Sequence, residues 1–299
     1  MDLSTPAAPA TIDIAQSVAN SPGYWSTVLG RLRRDKVTIF FGIVLLAIVL
    51  MAIFAPLIAP MDPYKANIAR RLKEIGFPGH PLGTDHTGRD MLSRLIYGGR
   101  LSLFMGVTPV LIALAIGGFL GVVAGYIGGK VNMAIMRTMD IFYAFPSVLL
   151  AIAISGALGA GIGNAILSLS IVFIPPIARV AETITTQVRS LDYVEAARAS
   201  GASSLRIIRV HVLSNVLGAV FVYATSLISV SIILASGLSF LGLGTKPPEP
   251  EWGLMLNELR QAIYVNPYVA ALPGAMIFLT SLSFNLLSDG LRSAMDLKT

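Results

Sequence analysis

Acidic, basic and small residues gather between Asp192 and Asn215 in a pattern suited to docking rather than to covalent chemistry. Asp192 and Glu195 have the spacing of a helix N-cap and its third-residue acid, which predicts a helix from Tyr193 with both carboxylates near its positive end. Gly201 is placed to end that helix in a left-handed conformation. Ser203 or Ser204 can cap a second helix, with Leu205, Ile208 and Val212 on one face and Arg206 and Arg209 on another. Ala196, Ala197 and Ala199 leave the first helix nearly bare, so a second surface can approach its backbone.

No other grouping specifies a reaction. The three histidines, His80, His86 and His211, form no H-E-x-x-H pair. His80 and His86 share a segment with Asp85 and Asp90, which can be read as a metal site; the Gly, Thr and Asp content reads better as turns and caps ahead of an amphipathic stretch from Met91 to Ile96. No metal ligand and no catalytic residue is therefore assigned. A Ser/His/Asp set lacks any nucleophile motif. Gly128-Gly129-Lys130 continues into Val131, with Ala124 at the first Gly position, so it does not form the phosphate-cradling loop of an ATPase. Cysteine is absent, which excludes thiolate catalysis and disulfides.

The elements that position these residues are membrane helices. Of the 299 residues 55% are hydrophobic and only 13% charged, and the mean hydropathy is +0.75; a soluble domain carries about twice that charge. The formal charge of +6 suits an anionic lipid surface and does not imply nucleic acid. Thr38 to Pro60 is long enough to be a retained first helix, and Arg31, Arg33, Arg34 and Lys36 just before it mark the cytoplasmic side. The uncharged stretch from Ile141 to Ala178 would cover nearly twice a hydrocarbon core of about 30 Å, and Gly156, Gly159, Gly161 and Gly163 offer a break in it.

These runs predict an all-α membrane protein of six transmembrane helices with cytoplasmic N- and C-termini. The expected spans are about 38–60, 102–126, 140–158, 163–181, 215–237 and 268–288. Residues 1–37 form a cytoplasmic tail, poorly ordered to about residue 20, and 38–296 the membrane domain, with a cytoplasmic loop at 182–214. The termini share a side because the span number is even, and the inner segments hold the larger share of Lys and Arg. No span has an ionisable residue at its centre, as an ion-coupled secondary transporter would; Asp140, Arg179, Glu182 and Asp289 sit near span ends. Asn164 and Asn285 read as helix-packing groups. Gly117, Gly118, Gly121 and Gly125 permit close helix contact, expected against a second membrane subunit. Pro109, Pro146, Pro175, Pro176 and Pro273 read as kinks. The segment 237–261, with Trp252 as an interfacial anchor, reads as an external scoop on the lipid surface or a receptor platform.

Several motifs resemble one family. Tyr193-Val-Glu-Ala-Ala-Arg-Ala-x-Gly201-Ala-Ser203 with Val212-Leu213 looks like the cytoplasmic signature of ABC importer permeases, in the dipeptide, oligopeptide and nickel branch. Gly83-Thr84-Asp85-His86-Thr87-Gly88-Arg89-Asp90, with Ser93-Arg94 and Tyr97-Gly-Gly-Arg-Leu-Ser102, resembles the external segment of the C-type subunit. Leu238 to Gly244 with Pro247-Pro248 and Trp252 to Met255, and the closing Phe284-Asn-Leu-Leu-x-Asp-Gly-Leu-Arg292, resemble it too. Ser214 departs from the pattern, which has Pro before Asn215 and hence a sharper bend into the fifth span.

The resemblance implies a type I ABC importer permease in the bacterial inner membrane, working by alternating access. It implies a second homologous permease, two cytoplasmic ATPases that carry the ATP and Mg, and an external solute-binding protein; the chain itself would bind no cofactor. Peptide is the commoner cargo of the branch and nickel the alternative. Glu195, Ala196, Ala197 and Gly201, with Arg198 and Ser200 beside them, would form the helix that meets an ATPase.

Overall fold

Residues 24–295 are described by the structure, a computed structural model; the expectation of disorder before residue 20 lies outside them. Their regular elements are all helical, and the isolated bridges Phe77–His80 and Thr84–Asp90 are the extended pairings between them. Helices satisfy every backbone group within one segment, which hydrocarbon requires. Five are long and apolar enough to cross a membrane, and a bent pair makes a sixth crossing if counted as one.

Helix α1 (Tyr24–Leu32) is followed by α2 (Lys36–Ile53), whose N-cap Asp35 accepts from the Val37 and Thr38 amides. Leu45, Ile48 and Ala52 of α2 are buried while Phe40, Ile43 and Leu46 are exposed, as on a helix with one face to protein and one to lipid. The expected run to residue 60 is broken at Phe54, beyond which only a short turn, α3 (Ala55–Ile58), remains helical.

The central element is α4 (Met91–Ile127), whose 37 residues extend about 55 Å, well beyond a hydrocarbon core. It starts earlier than the expected 102 because Asp90 caps it, accepting from the Ser93 amide at 2.8 Å. Helix α7 (Ile162–Arg189) runs parallel to α4 and in step with it. Gly117 faces Ile174 and Ile177, Gly121 faces Ala178 and Ala181, and Gly125 faces Glu182 and Thr185. The expectation that these glycines serve a second subunit is corrected: absent side chains let two backbones of the same chain meet. Gly118, on another side, has open space.

Between them the expected third span is not one helix. Helix α5 (Gly129–Tyr143) and α6 (Ser147–Leu158) meet at 87°. Pro146 supplies no N–H and disfavours the helical conformation at the residue before it, and the chain bends at Phe145. Gly159 and Gly161 then connect α6 to α7, and Asn164 in the first turn of α7 donates to the carbonyls of Leu158 and Gly159, so it caps the end of α6 and ties the two helices together.

After α7 come α8 (Asp192–Ala199) and α9 (Ser204–Ile207). A π-helical stretch, Ile208–Val212, joins α9 to α10 (Leu213–Phe240), so the fifth crossing is continuous from Ser204. Helix α11 (Trp252–Leu259) and α12 (Pro267–Met295) complete the chain. Asn285, on α12, is exposed. Met105, Leu169, Ile177, Ile232 and Val269 lie in one buried cluster that joins these helices.

A Cβ at Gly121 would collide with the Ala178 carbonyl, and overpacking of this kind costs about 1–3 kcal/mol. Gly121→Ala is expected to lower the thermal midpoint of the detergent-purified protein, whereas Gly118→Ala leaves it unchanged.

Candidate functional site

Two polar assemblies occupy opposite ends of the α4–α7 pair. At the Ile127 end, Arg189 closes α7 onto α4 by donating to the Tyr126 carbonyl at 2.9 Å. The chain then enters α8, which starts at Asp192 rather than Tyr193. Leu191 holds the cap position, and no side chain caps the helix. The Val194 and Glu195 amides donate to the Leu191 carbonyl instead, which places Asp192 inside the first turn. Both acids still lie at the positive end.

Val194 is fully buried and pins the underside of α8, whereas Glu195, Ala196, Arg198, Ser200 and Gly201 are exposed and Ala197 is half-buried. Gly201 has φ +82°. Its amide donates to the Arg198 carbonyl at 3.0 Å and the Ala202 amide to the Ala197 carbonyl at 3.1 Å, a Schellman closure. A Cβ at Gly201 would meet nothing within 4 Å, so the corner needs glycine for its backbone angle alone.

Ser203 caps α9, accepting from the Arg206 amide at 3.4 Å. The buried face of the next stretch is Ile207 and Val212, not the expected Leu205, which is 77% exposed. The π-helical step is the reason: it adds a residue to the turn and rotates the face. Asn215 donates to the Tyr193 hydroxyl at 3.2 Å, and the Tyr193 and His211 rings lie 5.7 Å apart, so α8 is tied to the start of the fifth crossing. Ser214 donates back to the Val210 carbonyl at 2.9 Å. Where proline would leave that carbonyl bare, this chain continues as helix. A shallow groove of about 360 Å³ lined by Ser203, Leu205, Arg206, Arg209 and Val210 opens beside the corner.

At the Met91 end, the six residues Gly83, Thr84, Asp85, Gly88, Arg89 and Asp90 build one compact turn. Asp85 accepts from the Thr87 and Arg89 amides and from Arg89 Nε at 2.6 Å. Arg89 and Arg94 each donate to Glu258 Oε2 at 2.9 Å, and Arg94 Nε lies 3.4 Å from Asp85. Arg94 is fully buried. Thr84 accepts from the Lys73 amide and donates to the Arg70 carbonyl. Asp90, besides capping α4, lies 3.0 Å from His80 Nδ1. Gly83 and Gly88 have φ +75° and +78° and lie against the backbone of Lys73 and Asn67.

This clasp fastens α11 to α4. Glu251 caps α11, accepting from the Gly253 and Leu254 amides and from the Ser102 hydroxyl. Burial pushes its carboxyl above the ordinary range despite those bonds. Trp252 is fully buried and donates Nε1–H to the Leu95 carbonyl at 2.9 Å, which corrects its reading as a lipid-surface anchor. The glycines at 98 and 99 make room for its ring. Burial and the Glu249 carboxylate raise the Tyr64 hydroxyl to about 12.

Oxygen and nitrogen atoms of Asp85, His86 and Glu258 lie within 4.8 Å of one another. Both carboxylates already face Arg89 and Arg94, whose guanidinium charges fill the role of a cation. Glu251 and Glu258 were not among the expected site residues, since nothing local in sequence couples them to a turn at 83–94.

Comparison with known proteins accords with this architecture. Residues 117–299 match the family model described as binding-protein-dependent transport system inner membrane component, and 23–74 that of the N-terminal TM domain of oligopeptide transport permease C. The glutathione transport system permease protein GsiD of Pectobacterium atrosepticum is 41% identical over 92% of this chain and 91% of its own. The dipeptide transport system permease protein DppC of Alkalihalophilus pseudofirmus is 41% identical over 95% and 92%. The MetNI methionine ABC transporter, in an inward-facing conformation, has a chain of like fold, with a TM-score of 0.57 at 19% identity, covering 68% of this chain and 97% of that one.

The chain belongs to the family of binding-protein-dependent transport system inner membrane components. It is an ABC importer permease of the oligopeptide-permease-C branch, a multi-pass protein of the bacterial inner membrane.

Two results are expected at the clasp. Glu258→Ala removes the nearer of the two carboxylates that face the buried Arg94, leaving only Asp85 at 3.4 Å; breaking a buried pair costs about 3–5 kcal/mol, and the change should expose residues 61–90 to trypsin. Burial alone would raise the Asp85 carboxyl, yet Arg89 and Arg94 hold it below the ordinary carboxylate range. Its contribution is present above the unfolded pKa and disappears as pH falls through the depressed folded value; tryptic protection of the clasp, measured after acid pulses, should decline over that interval.

Proposed function

We propose that this chain is one of two homologous permeases of an importer that moves di- or oligopeptides by alternating access, with ATP and Mg handled by two cytoplasmic ATPase subunits. The observation that carries the cargo is similarity, over more than nine-tenths of each chain, to permeases named for glutathione and for dipeptides. Both cargoes are small peptides bearing free terminal charges; nickel is the alternative.

In this reading both termini and the α8 corner are cytoplasmic, with residues 1–37 as a tail, 38–296 as the membrane domain and 182–214 as its coupling loop. Glu195, Ala196, Ala197, Arg198, Ser200 and Gly201 form the face that an ATPase receives. A rigid short helix with a fixed corner, small exposed side chains and an acid for a basic groove supports this assignment. Its tie through Asn215 and Tyr193 gives a route by which movement of α8 reaches the fifth crossing. The clasp at Gly83 to Asp90 with α11 then faces outward, where the solute-binding protein docks.

The test is Glu195→Lys combined with Gly201→Asp, a substitution strained at φ +82°. The variant is expected to insert into the membrane yet co-purify with at least tenfold less ATPase and to take up peptide at a correspondingly reduced rate. Normal uptake would reject the docking role. Uptake of nickel and not of peptide by the complete wild-type importer would reject the cargo.

A further inference from the structure

Asp140 on α5 and Arg179 on α7 form an ion pair through Oδ1 and a guanidinium nitrogen, with side chains 43% and 48% exposed. The guanidinium also lies over the Tyr143 ring, 5.1 Å from its centroid. Arg179 is about 15 Å in from the Arg189 end of α7 at 1.5 Å per residue, and it falls within a helix long and apolar enough to cross the membrane. Both residues lie toward the ends of their spans, where a half-exposed ion pair faces water, a protein surface or the headgroup region rather than hydrocarbon. The adjoining bend points the same way. Ala144 to Pro146 is non-helical backbone between α5 and α6, tolerated at membrane depth only against protein or a wet cavity.

The pair is unsaturated. Only one guanidinium nitrogen donates to Asp140, out of five N–H groups; the rest of that fork and the second carboxylate oxygen have no hydrogen-bond partner among the described residues. Covering them with an apolar helix face would strand these groups at a cost of several kcal/mol, so their complement is a polar ligand carrying both signs. Tyr143, whose ring lies under the guanidinium, is exposed, as are Ile141, Phe142 and Phe145 of the same segment, which offer apolar and aromatic surface with no single shape imposed.

We propose that Asp140 and Arg179 form a way-station on the translocation path that receives the terminal charges of a peptide in passage, ammonium at Asp140 and carboxylate at Arg179. Tyr143 positions Arg179, and the exposed apolar side chains accept the peptide's own side chains. This assignment rests on the peptide reading above.

The experiment uses the complete importer with its binding protein in proteoliposomes, with radiolabelled dialanine and glutathione as probes. Arg179→Gln and Asp140→Asn are each expected to cut uptake at least tenfold while the second permease still co-purifies and the binding protein still stimulates ATP hydrolysis. The exchange Asp140→Arg with Arg179→Asp is expected to stay equally low, because a clasp between helices works with either order of signs and a site for an oriented peptide does not. Uptake within twofold of wild type in the single variants, loss of the second permease, or recovery in the exchanged variant each overturns the way-station. If wild type imports neither probe, the cargo reading falls and the assignment with it; if wild type imports them and the variants match it, only the way-station falls.

Discussion

The close parallel contact between α4 and α7 is the constraint on which the rest of the molecule depends. Gly117, Gly121 and Gly125 bring the two backbones together over three successive turns. In a membrane there is little hydrophobic drive for helices to associate, so packing without intervening side chains must supply it. Because α4 is much longer than the hydrocarbon core, this contact sets the position of both polar ends. Arg94 lies at one end of α4, and the carbonyl that receives Arg189 lies at the other.

Charge is handled differently at the two ends. The clasp encloses Arg89, Arg94, Asp85 and Glu258, each an ion partner of another, and thereby ties a loop and a short helix to α4. Breaking one member strands the others, so the clasp is rigid. The α8 corner instead leaves Glu195 and Arg198 exposed while Val194 and the Gly201 closure fix the helix beneath them. The corner thus joins a fixed backbone to charges left open to solvent.

Expectation and structure part company where long-range contacts override local pattern. The spacing of Asp192 and Glu195 suits a capped start, but the end of α7 brings Leu191 into the cap position and the helix begins a residue sooner. Trp252 has the composition of an interfacial anchor, yet Gly98 and Gly99 open a place for it against α4. The glycine row was legible, its partner was not: a small-residue stripe shows that a helix can approach closely and carries no address. The bend between α5 and α6 falls at Pro146, a residue visible in the sequence as a kink, while its 87° angle follows from the packing of both pieces on α7.

By itself the sequence determined what depends on composition and local backbone preference: an all-helical membrane protein, the left-handed corner at Gly201, a serine cap at 203 or 204, the turn built on Gly83 and Gly88, and the signatures of an importer permease. Tertiary structure alone decided which distant groups meet. Glu258 reaches Arg94, Asn215 reaches Tyr193, and Asp140 reaches Arg179, because helix packing brings together residues whose separation along the chain leaves no periodic trace.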